Sequence, residues 1–225
     1  GGTRTLGGEV ATSGLPESLT AQRLVREGYA VATVDYRLSG VEPFPAPIED
    51  VTEAVRWLRA NAGKWGLDPD RIALWGASAG GHIAALTGVQ LAGDDGELKG
   101  IRAVVNWFGP SDMSTEAEQD PRISSYARGV VRRFLGCTPS QCPAAAEKAS
   151  PLRNLSGDEP PFLIQHGTAD ELVPVSQSLD FAAELRARGT TVEMHPYEGV
   201  GHGFPPGVAR THVIDAVVGF LDRNL

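Results

Sequence analysis

Long apolar runs are missing from this 225-residue chain: none approaches the roughly 20 consecutive apolar residues that a membrane-spanning helix requires. The opening stretch GGTRTLGGEV also lacks the charged-then-apolar pattern of a secretory signal, so the chain is expected to be soluble as given, with any export signal lying upstream. Positive charge is in deficit. Twenty Lys and Arg stand against 28 Asp and Glu, a net charge of −8, with no basic run, which excludes the electrostatic footprint of a nucleic-acid partner. Cysteine is scarce as well. Cys137 and Cys142, in LGCTPSQCP, have no histidine near them and cannot assemble the ligand set of a zinc site. No metal and no cofactor is expected. A local disulfide between Cys137 and Cys142 is the preferred reading and implies an oxidising compartment; two reduced thiols in a cytosolic loop are the alternative.

The chain also has no internal repeat and no low-complexity linker. Its length and its 41% hydrophobic content suit one domain over residues 1–225 with a substantial core. Short β-rich runs alternate with longer helical patterns, which predicts a mostly parallel sheet flanked by helices, an α/β fold. AQRLVREG reads as a helix closed by Gly28, and YAVATVDY (29–36) as a strand after it. IEDVTEAVRWLRANAGKWG repeats apolar residues at helical spacing, acidic early and basic late, as the helix dipole favours. Further strands are expected at 71–75, 101–109, 160–167 and 190–197, and helices from Ala79, at 176–188 and at 208–224. Residues 111–158 are left as an irregular, partly helical, cap-like insertion of the kind that shapes a binding site.

The stretch LWGASAGGHIAAL sets a lone serine, Ser78, between a predicted strand and a predicted helix. Gly-x-Ser-x-Gly is weak as a bare pattern, but here it falls at a strand-to-helix corner with small residues on both sides. Such a corner strains the serine backbone and lifts the hydroxyl to the carboxyl edge of the sheet. The helix behind points its N-terminus at the same spot, so the Ala79 amide is a candidate donor to a developing oxyanion.

A serine hydroxyl needs a base and an orienting acid, supplied from later strand ends. Of the five histidines, His202 stands out: EGVGHGF places it in a Gly-flanked loop between the last strand and the last helix. His82 lies one turn after Ser78, aimed into or beside the site; His166 is expected to satisfy local backbone groups, and His195 and His212 to sit in a strand and a helix. Asp170, in QHGTADELVP, is the expected acid, with Asp112 in GPSDM as its rival. The order Ser, Asp, His agrees with the α/β-hydrolase arrangement.

Several blocks, in order, then carry a resemblance: VDYRL, FPAPIEDV, VRWLRANA, DPDRIALWGASAGGH, VNWFGPSD, SPLRNL, PPFLIQHGTADELVP and GVGHGF. From about residue 22 onward the chain resembles α/β-hydrolase carboxylesterases, near the hormone-sensitive-lipase group and the bifunctional acetylxylan and feruloyl esterases. The resemblance implies a serine esterase with Ser78, Asp170 and His202 as its triad, an acyl-enzyme intermediate and no metal. Such enzymes carry a His-Gly-Gly-Gly type loop that completes the oxyanion hole. Gly1 and Gly2 stand where its remnant would lie, and the N-terminal strands before it are expected to be missing from the sequence shown, including one that would sit between the strands of VATVDY and IALWG.

The substrates implied are short-chain acyl, acetylxylan or feruloyl esters, small or polymeric, with synthetic aromatic polyesters a further option. Trp107 and Phe108 either flank a planar acyl group or pack at the sheet edge. Two other readings remain open: a prolyl-oligopeptidase-like serine peptidase with the same triad order, and a catalytically weakened hydrolase-fold binding protein. A homodimer is preferred to a monomer, on apolar surface expected around the last strand and helix.

Overall fold

The structure, a computed structural model, describes residues 17–92, 100–204 and 212–225. Helix α1 (Glu17–Arg26) precedes α2 (Ala46–Asn61), and a 3₁₀ turn at Ala62–Trp65 leads into strand β1 (Ile72–Ala77). Helix α3 (Ala79–Gln90) follows β1 after a single residue, and β2 (Ile101–Trp107) comes next. Three short helices, α4 (Thr115–Gln119), α5 (Ser125–Leu135) and α6 (Pro143–Lys148), fill the insertion before β3 (Phe162–Gly167). Helix α7 (Val175–Ala187), β4 (Val192–Tyr197) and α8 (Ile214–Asn224) complete the described chain.

The four strands pair in parallel in the order β1-β2-β3-β4. Their side chains alternate between two cores, as the period of two along a strand requires. Ala103, Val105 and Trp107 of β2 and Leu163 of β3 face a cluster that includes Leu24 of α1 and Val217, Phe220 and Leu221 of α8. Val104 of β2 and Phe162 and Ile164 of β3 face the other way, toward Val55 of α2, Ala84 and Ala85 of α3, and Phe181 and Leu185 of α7. Each fully buried Phe or Leu of this kind contributes roughly 1.5–3 kcal/mol relative to exposure. Parallel strands covered on both faces read as near-continuous apolar runs, which is why β2 and β3 were legible in the sequence.

Register fixes where the chemistry falls. Ala77 lies opposite Trp107, Trp107 opposite Gln165, and Gly167 opposite Tyr197. The loops after β1, β3 and β4 therefore leave the sheet along one edge, the edge where ligands bind in open α/β folds.

Two expectations are corrected. Residues 29–36 form no strand: they run as an unpaired segment, with Val34 and Tyr36 packed against Ile48, Val51, Ile83 and Leu86. Propensity makes a segment ready for a sheet, but a strand exists only when a neighbour accepts its ladder, and no described residue does so here. The last strand and helix carry none of the large hydrophobic side chains that are exposed among the described residues, because the apolar face of α8 is spent on the sheet. Among the described residues of the last strand and helix, the apolar surface expected for a dimer is not found.

The insertion is tied down at both ends. Ser111 is gripped by Gln177 of α7 through backbone and hydroxyl, and the Leu152 amide donates to the Ser111 carbonyl at 3.0 Å. Met113, Leu135, Ala146 and Ala149 make its own small core. Cys137 and Cys142 are joined as a disulfide, with Cα atoms 6.2 Å apart, inside the ordinary range for such a bridge.

Candidate active site

β1 ends at Ala77 and α3 begins at Ala79, so Ser78 alone turns the chain, at φ 54° and ψ −119°. A non-glycine residue occupies such a region only when its surroundings hold it there. The Ser78 amide donates to the Trp107 carbonyl at 2.8 Å, and the Ser78 carbonyl accepts the His82 amide at 2.9 Å. Helix α3 behind it is buried from Gly80 to Val89, so the corner cannot relax outward. The first amides of α3, beginning with Ala79, have no intrahelical acceptor by position, and they concentrate the positive end of the helix beside the serine.

The glycine before the corner has a steric cause. A Cβ on Gly76 would lie 2.1 Å from the Gly80 carbonyl oxygen, where backbone meets backbone and nothing flexible can yield. Gly76→Ala is therefore expected to push α3 off β1 and to lower unfolding free energy by about 3 kcal/mol or more. Urea denaturation measures it, and an unchanged midpoint would show that the contact is not limiting.

His202 follows β4 and reaches the serine: its Nε2 lies 2.9 Å from Ser78 Oγ, and its Nδ1 lies 2.7 Å from Asp170 Oδ2. Two features deliver it there. The loops after β3 and β4 are laced together, with Thr168 donating to the Tyr197 carbonyl and Ala169 to the Val200 carbonyl, each at 2.9 Å. That approach requires glycine at 167, since a Cβ would sit 2.2 Å from the Val200 oxygen. The ring of Phe108 meets the imidazole edge to face, with centroids 4.8 Å apart, and fixes its plane.

Asp170 is buried with its carboxylate fully engaged. Oδ1 accepts the amides of Leu172 and Val173 at 2.8 and 2.9 Å, and Oδ2 accepts from His202 and from His166, the latter at 3.1 Å. Burial pushes its pKa up, but the donors from His166, His202 and the Val173 amide outweigh it and hold the group well below the usual carboxylate range. A stably anionic acid beneath an imidazole, with the other imidazole nitrogen on a serine hydroxyl, is an arrangement able to withdraw a proton from that hydroxyl and stabilise the resulting imidazolium.

The other expected site residues lie elsewhere. Asp112 pairs with Arg153 at 2.9 Å and caps the Ser114 amide, so it does not meet His202. Trp107, expected at the substrate, points into the core: its indole N–H donates to Gln165 Oε1 at 2.6 Å, and its ring packs edge to face on Trp75 and Phe204. It offers no open face, because a residue in register on β2 cannot turn to the loop side. Phe108, one residue later, is also buried, at φ 41° against His202. Gly1 and Gly2 lie outside the described residues. His195 lies on β4, with its Nε2 3.8 Å from Glu193 Oε2, and His212 stands just before α8.

His82 is 1% exposed and is likewise removed from any substrate. Its Nδ1 lies 2.9 Å from the Pro110 carbonyl, and its ring packs edge to face on Phe134. Burial, opposed by the Pro110 carbonyl, pushes its pKa down to about 4, so the ring is neutral at pH 7. The unfolded chain takes up its proton near 6.5, so this histidine contributes stability that is complete above pH 6.5 and lost as pH falls to about 4. The loss is expected to be on the order of 3 kcal/mol. His82→Gln should flatten the stability profile between those pH values in chemical denaturation; an unaltered slope would place the proton uptake elsewhere.

Sequence reasoning missed His166 as a partner of Asp170. The spacing of four residues was visible, but a strand end and the following loop have no fixed spatial relation until the loop is folded. Among the described residues, no group of three or more His, Cys, Asp or Glu is placed to hold a metal ion. No described helix is long and apolar enough to cross a membrane.

A parallel sheet with helices on both faces, and a strained serine between strand and helix, defines an α/β-hydrolase fold. Residues 1–185 match the model of the BD-FAE family, and the chain belongs to that family. It is similar to "Esterase LipC" of Mycobacterium tuberculosis, 34% identical over 190 residues, covering 81% of this chain and 47% of that protein. "Esterase LipQ" of the same organism is 30% identical over 210 residues, covering 88% of this chain and 49% of that one. The chain thus spans about half the length of these curated relatives. Among solved structures, a "truncated form of carbohydrate esterase from gut microbiota" superposes with a TM-score of 0.73 at 30% identity, covering 85% of this chain and 72% of that one.

Proposed function

We propose that the protein is a serine hydrolase of carboxylic esters, with Ser78 as nucleophile, His202 as general base and acid, and Asp170 as the group that orients and stabilises His202. The observation that carries this reading is the continuous chain from Ser78 Oγ to His202 Nε2 at 2.9 Å and from His202 Nδ1 to Asp170 Oδ2 at 2.7 Å. The esterase names of LipC and LipQ and the family membership support the ester class.

The reaction follows from the geometry. Ser78 Oγ attacks the ester carbonyl carbon as His202 Nε2 takes its proton, and the carbonyl electrons pass to oxygen. The Ala79 amide, at the N-terminus of α3, is one donor to that oxyanion. Collapse of the adduct breaks the bond to the alcohol oxygen, which leaves with the proton from His202. Water then repeats the sequence on the acyl group, giving its proton to His202 and releasing the acid and free Ser78.

The substrate class in this reading is short-chain acyl esters, including those on carbohydrates, on the strength of the carbohydrate-esterase neighbour. The insertion 111–158, anchored through Ser111 to α7, shapes the alcohol side. The Cys137–Cys142 disulfide supports residence in an oxidising compartment. The deciding experiment compares p-nitrophenyl acetate with p-nitroacetanilide and maps the adduct of a fluorophosphonate probe. Ester turnover with a single adduct on Ser78 is expected. Preferential cleavage of the anilide would move the protein to the peptidases, and a folded sample with neither turnover nor adduct would leave a binding role.

A further inference from the structure

His166 stands one residue before the end of β3 and is wholly buried. Its Nε2 lies 3.1 Å from Asp170 Oδ2 and 2.9 Å from the Val173 carbonyl oxygen. Both neighbours are acceptors, so the ring proton sits on Nε2 and points at them. On the far side, Nδ1 lies 2.7 Å from the hydroxyl of Ser178, itself fully buried on α7. In the neutral ring the Ser178 hydroxyl donates to Nδ1, and every polar atom of the imidazole is then matched.

The consequence for Asp170 is that its Oδ2 receives two imidazole N–H donors, one from His202 and one from His166. Two amides hold Oδ1. Those amides belong to the loop that also carries Asp170, so by themselves they hold the carboxylate only as firmly as the loop is held. His166 ties the second oxygen to the end of β3, and Ser178 ties His166 to α7. The result is one line of hydrogen bonds, Ser178 to His166 to Asp170 to His202 to Ser78, running from α7 to the corner before α3.

We propose that His166 is a positioning residue for the reaction: by donating from Nε2, it keeps Asp170 Oδ2 aimed at His202 Nδ1, and it acts only through Asp170. This inference rests on the reading of Ser78, His202 and Asp170 given above. A residue that merely fills the core at this point would act on stability, and its effect on rate would not depend on what stands at 170.

Two substitutions separate these roles. The amide of His166→Asn ends near the place of Nδ1, within reach of Ser178 but short of Asp170, whereas His166→Gln carries an N–H to the place of Nε2. With p-nitrophenyl acetate, His166→Asn is expected to lower kcat by about 10- to 100-fold, the loss of one hydrogen bond to a charged group, with KM changed less than about threefold. His166→Gln is expected to stay within about fivefold of the parent, and in an Asp170→Asn background the two variants should agree within about threefold. Thermal melts accompany each variant. Equal kcat for Asn and Gln at 166, or an Asn penalty that persists undiminished beside Asp170→Asn, overturns the proposal.

Where the His166 variants do not fold, Ser178→Ala carries the test, since it removes only the outer hydrogen bond. Its kcat should fall by about fivefold, and an unchanged kcat overturns the proposal. A Ser78→Ala control separates the two levels of inference. Turnover that survives it defeats the catalytic reading itself, while turnover that vanishes with the Asn and Gln variants unranked defeats only the role of His166.

Discussion

Ser78→Ala is expected to lower kcat/KM for p-nitrophenyl acetate by about 10⁴- to 10⁶-fold, the scale on which removal of an activated serine acts. The size follows from what the substitution leaves in place. Alanine keeps the Cβ, so the backbone at φ 54° and ψ −119° carries the same strain and the same amide bond to the Trp107 carbonyl. His202 and Asp170 stay paired, and the α3 amides still face the site. Only the attacking oxygen and its 2.9 Å bond to His202 are lost. The melting temperature is therefore expected to hold within a few degrees while turnover and fluorophosphonate labelling disappear. Retention of more than a hundredth of parental activity by a folded variant would falsify the assignment of Ser78 as nucleophile.

Asp170→Asn is the second large effect, a fall in kcat of about 10⁴-fold. The amide cannot satisfy the site in either orientation. With its nitrogen at the place of Oδ2, the NH₂ group confronts the N–H donors of His202 and His166; with its nitrogen at the place of Oδ1, it confronts the amides of Leu172 and Val173. Relief in the first case comes from moving the His202 proton to Nε2, where it points at Ser78 and the imidazole can no longer take the serine proton. Relief in the second breaks the loop that holds residue 170. Stability should fall too, by about 1–3 kcal/mol for the unmet buried donor. Steady-state kinetics and a denaturant melt read both. Activity within tenfold of the parent would mean that Asp170 does not govern His202.

Acid should act on the same residue. The folded pKa of Asp170 lies below its unfolded value, so its pairing contributes stability that is full above the unfolded carboxylate range and is lost as pH falls through the folded value. The His82 effect, between pH 6.5 and about 4, comes earlier on acidification, so the two contributions are separable along one titration.

Much of this was legible along the chain. The strands at Phe162–Gly167 and Val192–Tyr197 and the helix Val175–Ala187 fall within a few residues of the expected spans, because apolar period and glycine punctuation are local signals. The serine corner was legible for the same reason: strand, small residues and helix follow one another without a gap. The positions of Ser78, Asp170 and His202, each in the loop after a strand of one parallel sheet, were open to inference once the strands were counted.

Residues 29–36 and Trp107 show where local signals stop. YAVATVDY has the composition of a strand, yet pairing is a property of a neighbour. Trp107 and Phe108 are adjacent in sequence, and which of them meets the site depends on the register of β2 against β1 and β3. Composition alone gives both the same weight. By itself the sequence determined the class of the strands and helices that carry the site, the order of the proposed reactive residues and the corner that holds the serine. The tertiary structure decided which side chains meet. The bare approach of the Gly167 and Val200 backbones sets Asp170 against His202, and the packing of α7 on β3 sets Ser178 against His166. Such contacts join residues whose separation along the chain carries no fixed distance in space.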